Sequence, residues 1–326
     1  MPAAATDPNP VRLVADIGGT NARFALVHGP HGAPQQIQTL ATNRFPDIAA
    51  AIDHYLADKG TRPFEGAIAI ASPVTGDQVR MTNHAWEFSI EATRARLGFD
   101  RLLLLNDFTA LAMALPTIPS SQREQIGRGQ PVEDAPIGLV GPGTGLGVSG
   151  LIRSGESRIP LSGEGGHATL SPANPREMEI VQVMWQDYAH VSWERLLSGM
   201  GLEHLHRAIA HLDGASPLPL TAAEITQHAL TGSDRYCTEA VATFCGMLGS
   251  VAGNLALTLG ARGGVYIGGG IIPRLGSYFA QSPFRERFES KGRYANYLAA
   301  IPTYVVKADN PAFLGAAMAL GVRPQA

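Results

Sequence analysis

The run Leu102-Leu103-Leu104-Leu105-Asn106-Asp107-Phe108 leaves this chain few folds to choose from. Four leucines in succession, bounded by turn residues, read as a strand buried on both faces in a parallel sheet. Residues 108–115 are good helix formers that stop at Pro116. Between strand and helix stands Asn106-Asp107, a polar pair at the carboxyl end of an apolar strand, where open α/β sheets place their ligands. Asp107 has two readings there. It is either the N-cap of the helix, worth about 1 kcal/mol, or a carboxylate whose burial some chemistry requires.

Strands and helices alternate through the first third of the chain. Residues 11–15 form an apolar run, broken at Asp16-Ile17-Gly18-Gly19-Thr20-Asn21 and resumed at 23–27, which reads as a hairpin with a Gly-Gly tip. Backbone N–H groups at such a tip can face phosphate oxygens, and an adjacent carboxylate can hold Mg2+ through water. Residues 37–41 read as a third strand, 46–57 as a helix and 66–71 as a buried strand. Residues 78–88 read as an edge strand or loop, and 90–97 as a helix leading to the leucine strand. The succession βββαβαβα describes one α/β half. Residues 116–136, rich in Pro, Gln and Ser, read as the crossing into a second domain.

That domain opens with an apolar run at 137–140 and Gly141-Pro142-Gly143-Thr144-Gly145-Leu146-Gly147-Val148-Ser149-Gly150. Gly145 to Gly150 matches G-x-G-x-x-G, but the dinucleotide fingerprint must open a helix and 148–152 reads as a returning strand. Two Gly-Thr hairpins, one per domain, suit a nucleotide phosphate held between lobes. The loop Gly163-Glu164-Gly165-Gly166-His167 carries one acid and one imidazole. A loop histidine is more often plain surface, and the acid three residues before it favours a polar ligand site. Residues 177–188 read as a helix, and 191–199 as the start of another, with Ser192 as N-cap and Glu194 in its first turn. Residues 234–259 form a long apolar helix with small residues at Gly246, Gly249, Gly253 and Ala256. Residues 263–272 form a buried strand ending in Gly268-Gly269-Gly270, where backbone can approach a ligand closely. A last strand at 301–306 precedes a helix that starts at Pro311.

Composition excludes several classes of function. A chain of 326 residues, 45% hydrophobic and 16% charged, has room for two domains and a large core, and is not expected to be disordered. A net charge of −3 gives no general attraction to nucleic acid or an anionic membrane. No uninterrupted apolar run approaches the ~20 residues that span a bilayer, and residues 1–10 lack the charged start and apolar run of a signal peptide. Cys237 and Cys245 are the only cysteines. Eight residues of helix separate them by about 12 Å, beyond the roughly 7 Å reach of a disulfide. A cytoplasmic, disulfide-free chain is the expectation, and with no Cys cluster a structural zinc site is not expected.

Taken in order, six segments resemble the bacterial glucokinases of the actin-like sugar kinase superfamily. They are Asp16-Ile17-Gly18-Gly19-Thr20-Asn21-Ala22-Arg23, Leu105-Asn106-Asp107-Phe108, Gly141-Pro142-Gly143-Thr144-Gly145-Leu146-Gly147, Gly163-Glu164-Gly165-Gly166-His167, Ser192-Trp193-Glu194-Arg195-Leu196-Leu197-Ser198-Gly199 and Ile267-Gly268-Gly269-Gly270. The Gly-Gly-Thr and Gly-Gly-Gly pieces are shared across actin-like ATPases, whereas the Glu164–His167 loop and the 192–199 segment are specific. The Cys-rich zinc motif of the repressor and sugar kinase group is missing, so the chain is similar to the zinc-free branch.

The resemblance implies a two-lobed, actin-like (ribonuclease H-like) α/β fold with an interlobe cleft. A small α/β domain would comprise 1–116 plus 308–326, and a larger one 117–307. It implies ATP-dependent phosphorylation of D-glucose to glucose 6-phosphate. ATP would meet Asp16, Gly18, Gly19, Thr20, Asn21, Gly143, Thr144, Gly145, Gly268 and Gly269, with Mg2+ anchored through water by Asp16. Asn106, Asp107, Glu164, His167 and Glu194 would hold the sugar, Asp107 acting as general base on its 6-hydroxyl. A cytoplasmic homodimer without nucleic-acid or membrane partners is also implied. Kinases of mannose, fructose or an amino sugar share all these residues. A sugar-binding regulator would need a DNA-binding segment, for which ten residues before Val11 leave no room. An actin-like ATPase or polyphosphate hydrolase without a sugar leaves Glu164, His167 and Glu194 unexplained.

Overall fold

The structure, a computed structural model, describes residues 10–29, 32–155, 157–216 and 219–321. Most of the segment on which the signal-peptide reading rests, residues 1–9, lies outside the described residues. The chain divides into two compact units, one drawn from Met1–Ile118, Gly155–Ser162 and Ala308–Ala326, the other from Pro119–Ser154 and Gly163–Lys307.

In the first unit, β1 (Val11–Ile17), β2 (Asn21–His28) and β3 (Gln35–Ala41) form an antiparallel meander. β4 (Glu65–Ile70) then pairs parallel with β1. A small hairpin of β5 (Gln78–Arg80) and β6 (Glu87–Ser89) follows, and β7 (Arg101–Asn106) pairs parallel with β4. The sheet order is β3-β2-β1-β4-β7. Because Ile17 aligns with Ile70 and Ile70 with Asn106, the carboxyl ends of β1, β4 and β7 share one edge of the sheet. The leucine strand is therefore the sheet's last, not a central one. Leu102 and Leu104 are buried, while Leu103 and Leu105 are only half-buried.

Side chains alternate across β1 as a pleated strand requires. Leu13, Ala15 and Ile17 enter the core under α1 (Ile48–Leu56), while Val14 joins Phe313, Ala316 and Leu320 of the helix Pro311–Gly321 on the other face. Asp47 caps α1 through Ala50 N, and Ser89 caps α2 (Ile90–Leu97), which stops at Gly98 with φ +69°. Helix α3 (Asp107–Ala114) follows β7 with no intervening loop.

In the second unit, β8 (Arg123–Ile126), β9 (Ile137–Pro142) and β10 (Leu146–Ser154) come first. The chain passes through β11 (Ser157–Pro160), which groups with the first unit, although the sequence reading assigned 155–162 to the larger domain. The physical reason is proximity to α3, where Ser162 Oγ lies 3.4 Å from Thr109 Oγ1. With β12 (Val265–Ile267) and β13 (Thr303–Val306), the strands belonging to the second unit run β10-β9-β12-β13-β8, with β9-β12-β13 parallel and the β10–β9 and β13–β8 pairs antiparallel. Strand β8 lies inside the stretch read from sequence as a crossing.

Among the longer helices here are α4 (Pro175–Asp187), α5 (Gly199–Leu212), α6 (Ala222–Thr231) and α7 (Arg235–Leu259); α7 lies against β9, α5 and α6 pack on α7, and α4 packs on α5. α7 is long and apolar enough to cross a bilayer, a property the sequence reading did not find, and 72% of its apolar window is buried. Gly249 and Gly253 let the short helix Phe284–Glu289 approach it. A Cβ at Gly249 would collide with the Phe284 carbonyl, and one at Gly253 would stand 2.7 Å from that of Phe288.

The segment 191–199 is not the start of a helix. Trp193–Arg195 makes one 3-10 turn, Ser192 caps nothing, and α5 begins at Gly199 with Ser198 accepting Gly201 N–H at 3.0 Å. The backbone groups a helix would need are already used. Leu170 N donates to Val191 O at 3.0 Å and Trp193 N to Ala168 O at 3.1 Å.

Candidate active site

Asn106, not Asp107, caps α3. Its Oδ1 accepts Phe108 N–H at 2.9 Å and Thr109 N–H at 3.3 Å, and its amide donates to Ser72 O at 3.5 Å. Asp107 is the first helical residue, and its Oδ1 also accepts Phe108 N–H at 2.9 Å. Burial pushes the Asp107 carboxyl up to about 6. The Phe108 N–H works against that rise, and the nearby negative charge of Asp16 adds to it. Asp107 therefore combines a helix N-terminus, which favours its charge, with a surrounding that resists it.

Asp16 stands opposite Arg23 in the β1–β2 ladder, and Arg23 Nη1 donates to its Oδ2 at 3.0 Å. Burial raises the Asp16 pKa, and the Arg23 charge and hydrogen bond oppose that rise. The tip that follows is tied down by backbone. Gly18 N donates to Asn21 O at 2.9 Å, Thr42 N to Thr20 O at 3.1 Å, and Thr42 Oγ1 to Gly19 O at 2.9 Å. Gly19 leaves no room for a side chain, since a Cβ would stand 2.6 Å from Asn83 O. Thr20 and Asn21 are exposed at the tip. The first unit thus gathers Asp16, Gly18, Gly19, Thr20, Asn21, Asn106 and Asp107 on strand ends of a single sheet.

In the second unit the β9–β10 hairpin turns through Gly143-Thr144-Gly145, closed by Gly143 N to Gly145 O at 2.7 Å and held by Gly199 N to Gly143 O at 2.9 Å. Glu194 Oε2 accepts Leu146 N–H at 2.8 Å, and its other oxygen lies 3.9 Å from His167 Nε2. One carboxylate therefore spans from the hairpin to the imidazole. Gly268 N donates to Val140 O at 2.9 Å, and Gly269, at φ +80°, packs on the end of β9 where a Cβ would collide with Pro142 O. Gly143, Thr144, Gly145, Gly268 and Gly269 thus gather around the end of one strand.

His167 ends a 3-10 turn, Gly165–His167, in which His167 N donates to Glu164 O at 3.0 Å. Glu164 is exposed. A pocket of about 390 Å³ is lined by His167 and Glu194 together with Asp187, Tyr188, His190 and Arg195. Sequence reasoning missed these last four. Arg195 stacks over the Tyr188 ring at 4.2 Å from its centroid, and only the adjacency of 187–190 to the specific 192–199 segment pointed there.

The chain is similar to known proteins along nearly its whole length. A sequence profile of the glucokinase family matches residues 13–322. The glucokinase of Aromatoleum aromaticum is 54% identical over 322 residues, spanning 98% of this chain and 97% of that one. That of Chromobacterium violaceum is 55% identical over 307 residues, spanning 94% of this chain and 88% of its own. Among solved structures, a glucokinase from an Antarctic psychrotroph superposes with a TM-score of 0.88 at 38% identity, covering 95% of this chain and 98% of that one.

Proposed function

Because this chain belongs to the glucokinase family, and so transfers phosphate from ATP to D-glucose to give glucose 6-phosphate, we propose that Asp107 is the general base of that reaction. One observation carries the assignment: a carboxyl group held at about 6 on the carboxyl edge of the first sheet. At neutral pH it is ionised, yet basic enough to take a proton as the bond forms. The 6-hydroxyl oxygen attacks the γ-phosphorus, its proton passes to Asp107, and the bond to the β,γ-bridging oxygen breaks to release ADP. Phosphoryl transfer of this kind is chiefly positioning and charge neutralisation.

The remaining roles follow from donor chemistry. Hexose hydroxyls both donate and accept, so Glu164, Glu194, His167 and Asn106 are proposed to hold them. Glu194 has one oxygen engaged with Leu146 N–H, which leaves the other for sugar. The tips Gly18–Asn21 and Gly143–Gly145, where Thr20, Asn21 and Thr144 are exposed, are proposed to receive the phosphates, and Gly268-Gly269 to lie against the nucleotide. Mg2+ fits the first unit, where Asp16 offers hard oxygen donors and its charge repels that of Asp107. There it would neutralise phosphate charge.

We further infer a homodimer, supported by exposed Met178 and Trp185 seven residues apart on one face of α4. A cytoplasmic setting is inferred from the two free, buried cysteines and from the use of ATP. The assignment of Asp107 is tested by the pH profile of kcat/KM, which is expected to fall roughly tenfold per pH unit below about 6. A profile flat down to pH 5 would remove Asp107 as base.

A further inference from the structure

One buried cluster in the second unit has no part in phosphoryl transfer. His206 lies on α5, Asp234 caps α7 and Cys237 sits in the first turn of that helix. One ligand-type atom from each lies within 4.8 Å of the other two. A cap residue and the third residue after it face the same side of a helix, and Asp234 Oδ1 accepts Cys237 N–H at 2.9 Å. His206 and Cys237 are 1% and 0% exposed, while Asp234 is half-buried.

His206 is the second, independent observation. Neither of its ring nitrogens has a hydrogen-bond partner among the described residues. A buried polar group left in that state costs about 1–3 kcal/mol, so an imidazole that only filled space would be better replaced by leucine.

We propose that His206, Asp234 and Cys237 form a transition-metal site, of the kind zinc occupies, which fastens α5 to the start of α7. Imidazole, carboxylate and thiolate form a donor set suited to zinc, with water from the Asp234 side as fourth ligand. Tetrahedral bonds of about 2.0–2.3 Å set ligand atoms about 3.5 Å apart, a spacing the three donors, within 4.8 Å of one another, would adopt on binding. On binding, the Cys237 thiol gives its proton to solvent and coordinates as thiolate. The site differs from a Cys-rich zinc motif in being assembled across two helices, which is why ligand spacing along the chain does not reveal it.

The test uses the intact chain, freed of metal by a chelator and then titrated with Co2+ or Zn2+ alone. A single equivalent of Co2+ is expected to bind with a thiolate-to-cobalt charge-transfer band in the near ultraviolet. Zn2+ should displace it and raise the Tm. Cys237→Ser should abolish the band, and His206→Leu should lower the bound metal by one equivalent. Absence of the band, its survival in Cys237→Ser, or full metal binding by His206→Leu would overturn the proposal. If His206→Leu fails to fold, the cobalt spectra of the parent and of Cys237→Ser decide it.

Discussion

The proposed role of Asp107 as base sets two opposed demands. A base must be ionised at working pH, and it must also hold a proton strongly enough to remove one from an alcohol. Burial and the Asp16 charge raise its pKa, while Phe108 N–H keeps the rise in check. Its neighbour Asn106 takes the helix cap, while Asp107 Oδ1 shares the Phe108 N–H. Glu164 presents a different case, since it is exposed and its proposed role is to accept sugar hydroxyls. A hydrogen bond to a charged acceptor is worth about 1.5–3 kcal/mol, so Glu164→Gln is expected to raise the glucose KM at least about tenfold in steady-state assays. An unchanged KM would take Glu164 out of the sugar site.

Elements differ in how plainly the sequence announces them. The β1–β2 and β9–β10 hairpins, α2 and the long α7 were legible, because apolar runs end at Gly, Ser or Asp residues that turn or cap the chain. Strand β8 was not, since Arg123-Glu124-Gln125-Ile126 is short and polar and holds its place only by pairing with β13. The 191–199 segment carried helix-like signals at Ser192 and Glu194, but tertiary hydrogen bonds to 168–170 overrode them. The same pairing brings His167 near Glu194, so that grouping was also invisible in one dimension. The small residues of α7 were visible in the sequence, and two of them differ in the room around them. Gly249→Ala must displace the Phe284 carbonyl and is expected to cost about 1–3 kcal/mol. At Gly246 the nearest atom to a new Cβ is 3.6 Å away, so Gly246→Ala is expected to stabilise by up to about 1 kcal/mol. Denaturant unfolding of the two variants checks the pair, and equal losses would contradict the close approach.

On the scale of the whole molecule, each unit has its own sheet and core, and each contributes part of the proposed machinery. The first supplies Asp16, Asp107 and one glycine tip. The second supplies Glu164, His167, Glu194 and the other. For the proposed homodimer through the exposed Met178 and Trp185 of α4, sedimentation is expected to give twice the chain mass, and Trp185→Arg a single chain. A parent sedimenting as one chain would end that inference. The most direct test of the account compares Asp107→Asn with the parent in glucose binding by calorimetry and in ATP-dependent turnover. Asparagine can still accept Phe108 N–H but is no base, so turnover is expected to fall about 10²–10⁴-fold with glucose affinity retained. Turnover within about tenfold of the parent, below the range a general base supplies, would contradict the central claim.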